Sequence, residues 1–172
     1  MKIFSSIFLT SYFIFFAFSG CGYKPSSYYA KNAIKGDVYV DMEINIDNAQ
    51  NSVLIKDAMN EVVLNQFKAN LTSNKKDADT LVTVNLASLS NTAVISDDEG
   101  YIKTYRATVN IDVSYQAKGK SKVSLKVTNY YDYSVDFDSV VTEQKKQEAI
   151  KIAATKALSD IFSKIAVSTL KG

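Results

Sequence analysis

The side chains that most often carry chemistry in proteins are nearly absent from this 172-residue chain. It has no histidine and a single cysteine, Cys21. Histidine is the commonest general base and metal ligand, and a thiolate is the usual alternative for nucleophilic or metal chemistry. The G-x-S-x-G, H-E-x-x-H and glycine-rich phosphate-loop motifs are also missing. The sequence therefore favours a non-enzymatic protein, and we expect no catalytic residue, no metal site and no cofactor.

Three adjacent carboxylates, Asp97, Asp98 and Glu99, precede Gly100. Such a group could attract a divalent cation, but the spacing is not that of an EF-hand loop. Adjacent acids before a glycine are more typical of a solvated turn. We therefore predict an acidic turn here.

Basic residues are the remaining candidates for a binding role. Arg106, the only arginine, lies on the polar side of a predicted strand. It could grip a phosphate or carboxylate bidentately, or pair across strands with Asp132 or Asp136. A lysine cluster at a predicted turn would either keep the sheet soluble or meet anionic lipid headgroups. The candidate contacts with lipid, phosphate or a partner are Lys103, Arg106, Lys118, Lys120, Lys122, Lys145 and Lys146. A net charge of +2 argues against a nucleic-acid partner.

Cys21 stands where an export signal would end. Lys2 gives a basic start, residues 3–18 are nearly all apolar, and Ser19-Gly20 forms a small-residue cleavage zone. With a cysteine at the junction, the pattern is similar to a lipobox, in which the thiol takes a diacylglycerol before the signal is cut. We predict a signal peptide over residues 1–20 and a covalent lipid on Cys21.

Two other interpretations of this segment compete. An uncleaved membrane anchor would need about 20 apolar residues, and this run is shorter and interrupted by Thr10 and Ser11. A buried core thiol fits poorly beside a signal. Residues 21–36 lack a clean periodicity and are predicted to form a lipidated tether.

The elements that would position the candidate residues follow from hydrophobic periodicity. Alternation predicts a strand over residues 38–46, and an apolar stripe at helical spacing predicts a helix over residues 53–71. Residues 79–91 are predicted to form a strand with apolar residues at both odd and even positions. This pattern indicates either a bulge or a strand covered on both faces.

Residues 101–117 and 123–137 alternate as a long hairpin, with Gly119 in its turn, and Ile102 and Lys103 break the pattern. A last amphipathic helix covers residues 143–170. The predicted fold is a single α+β domain over residues 37–172, a two-layer sandwich. It has a four-stranded, mainly antiparallel sheet with two helices on one face, in the order β-α-β-β-β-α.

Taken together, the chain resembles the lipopolysaccharide-assembly lipoprotein family LptE. The features that carry the resemblance are Cys21-Gly22-Tyr23, the strand and helix over 38–46 and 53–71, Gly100 before Tyr105, the hairpin through Gly119-Lys120, the Tyr130–Tyr133 stretch and the helix around 147–165.

The resemblance implies a protein that sits as a plug in the lumen of the outer-membrane β-barrel LptD, helps that barrel to fold and contacts lipopolysaccharide. It also implies a lipid-anchored location in the outer membrane of a Gram-negative bacterium, and Gly22 agrees with outer-membrane sorting. The chain departs from enteric members in one respect: Asp97-Asp98-Glu99 stands where they carry a basic residue. No lipopolysaccharide site is therefore carried over.

Two further hypotheses come from other classes. One is a periplasm-facing lipoprotein of another envelope system, such as a lipid-transport or flagellar accessory. The other is a tethered hydrolase, which the lack of histidine and of a free cysteine disfavours.

Overall fold

The computed structural model describes residues 26–42, 49–135 and 142–170. The elements run in the order α1 (Ser26–Ala33), β1 (Asp37–Met42), α2 (Ala49–Val62), β2 (Asn70–Leu71), β3 (Thr80–Ser96), β4 (Ile102–Ala117), β5 (Val123–Ser134) and α3 (Glu143–Leu170). A π-helical turn, Val63–Phe67, continues α2.

The strands form one sheet in the order β2-β1-β3-β4-β5. β1 is parallel to β2 and to β3, whereas β3, β4 and β5 are successively antiparallel. The antiparallel part is unusually long, because β3 has 17 residues and β4 has 16, against a typical five or six.

All three helices contribute to one core with a single face of the sheet. On the strands this face is built from alternate β-branched and small residues, for example Val82, Val84, Val109 and Ile111, each at most 1% exposed. The side of α3 that meets the strands is rich in alanine, with Ala153, Ala154 and Ala157 fully buried. Small side chains there let the helix lie close to the sheet. On the other face, the side chains of β3, β4 and β5 that the structure describes are half-buried or exposed.

The α+β class is confirmed, but the predicted four strands and two helices are wrong in number: the described residues contain five strands and three α-helices. Part of the predicted tether, residues 26–33, is the helix α1, and its Ala30 is fully buried, as is Ile34 just beyond it. The helix predicted over residues 53–71 ends early, at Lys68, which takes a left-handed φ of 56°. The chain then forms β2.

The parity break in the strand predicted over residues 79–91 is a bulge in β3. The β3–β4 register shifts between Leu86 and Ser88, so that Leu89 packs against the core after Leu86. This bulge lets one continuous strand keep its apolar residues on one face.

The predicted signal peptide, Cys21 and residues 43–46 of the first predicted strand lie outside the described residues. Within the parts of the chain that the structure describes, no helix is both long enough and apolar enough to cross a membrane.

Candidate functional site

The uncovered face of β3, β4 and β5 is polar and its side chains bond to one another. Ser88, Asn110 and Thr128 lie opposite each other on the three strands. The side-chain Nδ2 of Asn110 donates to the Ser88 hydroxyl at 2.6 Å, and the Thr128 hydroxyl donates to the side-chain Oδ1 of Asn110. This row satisfies polar groups across three strands and fixes the side chains in place.

Arg106 lies on the same face and is engaged by its neighbours. Its Nε and Nη2 donate to the two carboxylate oxygens of Asp132 at 2.7 and 2.8 Å. Its guanidinium also lies 3.9 Å from the ring centre of Tyr130. The hydrogen bonds from Arg106 lower the pKa of Asp132, and Asp132 in turn raises the pKa of Arg106. The predicted cross-strand pair with Asp132 is confirmed, so an anionic ligand would have to compete with it.

Further along this face, a shallow groove of about 350 Å³ runs over the three strands. Its lining includes Asn85, Asp112, Ser114, Lys122 and Lys126. The Lys126 ammonium lies 3.9 Å from the Asp112 carboxylate and remains largely in solvent. The groove offers hydroxyl, amide and ammonium groups, a surface suited to polar contacts.

The predicted acidic turn is confirmed as a turn between β3 and β4. The Asp97 carboxylate accepts the backbone N–H of Tyr101 at 2.8 Å and that of Glu99 at 3.2 Å, and pairs with Lys103 at 3.0 Å. Desolvation by itself would raise the pKa of Asp97. The hydrogen bonds and the Lys103 charge outweigh it, and the pKa of Asp97 is lowered. In the described ranges, no group of three acidic or cysteine side chains is placed to hold a metal ion.

The seven candidate cations do not form one site. Lys103 and Arg106 lie toward the acidic turn, whereas Lys118, Lys120 and Lys122 surround the turn at the other end of β4. At about 3.3 Å per residue, β4 separates the two turns by roughly 50 Å.

The remaining two candidates, Lys145 and Lys146, are in the first turn of α3, where Lys146 pairs with Glu143 at 3.5 Å. The helix runs antiparallel to β5, because Lys156 lies over Tyr131 and Lys164 reaches Lys126. Its first turn is therefore directed toward the acidic turn. Cys21 lies outside the described residues.

Two surface features escaped the sequence analysis. The first is a set of exposed apolar side chains beside the acidic turn: Val94, Ile95, Tyr101 and Ile102. The break in alternation at Ile102 was the available signal. The sequence predicted only a solvated acidic turn before Gly100, and the structure places exposed apolar side chains on both sides of that turn.

The second feature is a covered sheet edge along β5. The Lys164 ammonium donates to the Lys126 carbonyl oxygen at 2.6 Å. The Asn129 side chain accepts the N–H of Tyr130 at 2.8 Å and donates to Asp160 at 3.0 Å. Backbone groups that would otherwise be open to another strand are thus occupied by side chains.

The chain is similar to known proteins both in sequence and in structure. Residues 39–165 match the family model described as LptE: Lipopolysaccharide-assembly. None of the curated proteins matches the chain. Rare lipoprotein B from Shewanella oneidensis is similar in structure, with a TM-score of 0.52 at 14% identity over 78% of this chain and 97% of that one. Lipoprotein B from Nitrosomonas europaea gives 0.54 at 9% identity over 88% and 93%. At these identities the two structures show a shared fold.

Proposed function

This chain belongs to the LptE family of lipopolysaccharide-assembly proteins, and from that premise we propose that it plugs an LptD-type outer-membrane β-barrel and helps it to assemble. In this role the protein is a non-enzymatic lipoprotein, anchored in the outer membrane through a lipid on Cys21. Its task is to support the insertion of lipopolysaccharide into the outer leaflet.

The observation that carries the proposal is the polar, internally bonded face of β3, β4 and β5. The interior of a transmembrane barrel is polar, so a protein that fills it needs a polar outer surface with its side chains held in place. The Ser88–Asn110–Thr128 row and the Arg106–Asp132 pair provide such a surface. The polar side chains of this face can replace their hydrogen bonds to water with hydrogen bonds to a barrel wall. The apolar core of the domain stays covered when they do so.

The dimensions agree with this role. The apolar band of an outer-membrane barrel is about 25 Å tall. The 16-residue β4 is roughly 50 Å long, so the hairpin of β3 and β4 exceeds the depth of that band. One end of the hairpin can therefore lie in the lumen while the other remains near the periplasmic opening.

We assign contact with lipid phosphates to Lys118, Lys120 and Lys122. They are exposed and cluster at one turn. Arg106, Lys103 and Lys146 are each in ion pairs within the domain. Among the residues that the structure describes, no ion pair engages these three lysines, so a phosphate can bind this lysine turn without breaking one.

The test is to solubilise outer membranes in mild detergent and recover the chain through a C-terminal tag. The proposal expects one large barrel protein at equal stoichiometry, and expects that barrel to disappear from the membrane when the lipoprotein is depleted. Recovery of the protein alone would overturn the proposal and favour a lipoprotein of another envelope system.

A further inference from the structure

The end of the β3–β4 hairpin carries four apolar side chains that are partly or largely exposed. Tyr101 is 62% exposed, Ile95 57%, Val94 40% and Ile102 37%. We call these four residues the apolar tip. Val94 and Ile95 lie near the end of β3, Tyr101 immediately precedes β4 and Ile102 begins it, and Ser96 pairs with Ile102, so all four residues lie at one end of this hairpin. Clustered apolar exposure on a folded domain marks a contact surface.

The turn beneath the apolar tip is held in shape. Asp97 accepts two backbone N–H groups and pairs with Lys103, and backbone hydrogen bonds join Asp97 to Gly100 and to Tyr101. A turn fixed in this way presents its apolar side chains without having to order itself on contact. Docking would therefore lose little conformational entropy.

The charge at this end indicates what the apolar tip meets. Asp98 and Glu99 are exposed acids within the turn, and the neighbouring cation, Lys103, is already paired with Asp97. The turn itself is thus acidic, and of the two α3 lysines directed toward this end, Lys145 and Lys146, the second is paired with Glu143. Anionic lipid headgroups would be repelled by the acidic turn, whereas lysine or arginine side chains around an apolar pocket of a protein would complement it.

We propose that the apolar tip inserts into an apolar pocket on a protein partner, and that basic side chains of the partner surround the pocket and pair with Asp98 and Glu99. This inference rests on the proposed function, because the partner we commit to is the barrel protein. It adds the chemistry of the contact and assigns it to the hairpin end opposite the lysine turn.

The first test places a photocrosslinking amino acid at Tyr101 in the full-length chain in cells. Its control places the same group at Val167, an apolar position on α3 that is also more than half exposed (52%). We expect a crosslink from position 101 to the barrel protein and a weaker one or none from position 167. A crosslink from position 101 to lipopolysaccharide or phospholipid would overturn the proposal.

The design separates two failures. If the barrel is recovered with the tagged chain but position 101 does not crosslink to it, the apolar tip is not the contact, and the proposed function stands. If no barrel is recovered at all, the proposed function fails and this inference falls with it.

The second test reverses the charges in the variant Asp98→Lys/Glu99→Lys. Its matched control is Asp57→Lys/Glu61→Lys, which reverses two exposed acids on one side of α2. We expect the tip variant to recover about tenfold less barrel at low salt, and the control to recover the wild-type amount. Equal recovery by both variants would show that the partner's surface is not basic and would overturn the proposal.

Discussion

Gly36, which joins α1 to the sheet, should not tolerate a side chain. It has a φ of +73°, which L residues rarely adopt. A Cβ there would lie 2.9 Å from Cγ of Asp79 and closer still to one carboxylate oxygen. That carboxylate accepts the backbone N–H of Asp37 at 3.0 Å, so Asp79 cannot move without giving up this hydrogen bond.

Two costs add in the variant Gly36→Ala. Forcing alanine into the left-handed region costs about 1–2 kcal/mol. Displacing Asp79 from the Asp37 N–H costs about 1 kcal/mol, the net value of a typical hydrogen bond. We expect the free energy of unfolding to fall by roughly 2–3 kcal/mol in total, a large part of the stability of a domain of this size.

The measurement is urea unfolding of the purified chain in mild detergent, monitored by circular dichroism. Gly119→Ala is the matched control, because Gly119 has a φ of +75° and nothing within 4 Å of the added Cβ. The control should lose only the conformational cost. If Gly36→Ala and Gly119→Ala were equally destabilised, the contact with Asp79 would have no energetic effect and the reasoning would be refuted.

Three other perturbations have defined outcomes. Leu158→Ala empties a fully buried position on α3 and should lower the free energy of unfolding by about 2–5 kcal/mol in the same assay, and a loss below 1 kcal/mol would mean that the core is loosely packed. Asn129→Ala/Lys164→Ala removes the side chains that cover the β5 edge and should produce concentration-dependent association by analytical ultracentrifugation; a strictly monomeric double variant would contradict the covered-edge interpretation. Asp132→Asn removes a carboxylate whose pKa Arg106 holds below its ordinary 3.8, so its contribution is present above that pH and lost as the pH falls through the lowered pKa. The stability difference between wild type and Asp132→Asn should therefore shrink on acidification in urea titrations at successive pH values, and a difference that grew would show that the sign is wrong.

Periodicity predicted the long strands well because each keeps one face in the core. The odd residues of β4, from Ala107 to Val113, are almost fully buried, and the alternation in the sequence reflects this directly. The parity break in β3 also had a local cause, the bulge between Leu86 and Ser88, so it too could be read from the pattern.

The elements that were missed are set by tertiary contacts. α1 is only eight residues long and includes several polar and aromatic residues, and it is held by burying Ala30 and Ile34 against the rest of the core. β2 has two residues, and the helix before it ends at a left-handed lysine, Lys68, with no glycine to signal the stop. Short elements of this kind have too few residues for a period to be visible.

In the candidate site, too, features set by local strand pattern could be predicted and features set by tertiary contacts could not. The Arg106–Asp132 pair could be predicted because cross-strand register follows from the strands themselves. The position of Lys145 and Lys146 could not be predicted, because it depends on the direction of α3 relative to the sheet. The apolar tip was missed because exposure depends on where the helical layer ends.

If Cys21 carries the proposed lipid, the packing of α1 shortens the tether between that anchor and the domain. Had residues 21–36 been a free tether, the 16 Cα–Cα steps from Cys21 to Asp37 would allow a reach of about 58 Å at 3.6 Å per step. With the chain committed to the domain from Ser26, five steps remain, or about 18 Å. The volume that the domain can sweep around its anchor is then smaller by roughly thirtyfold. A partner in the same membrane meets it at a correspondingly higher effective concentration.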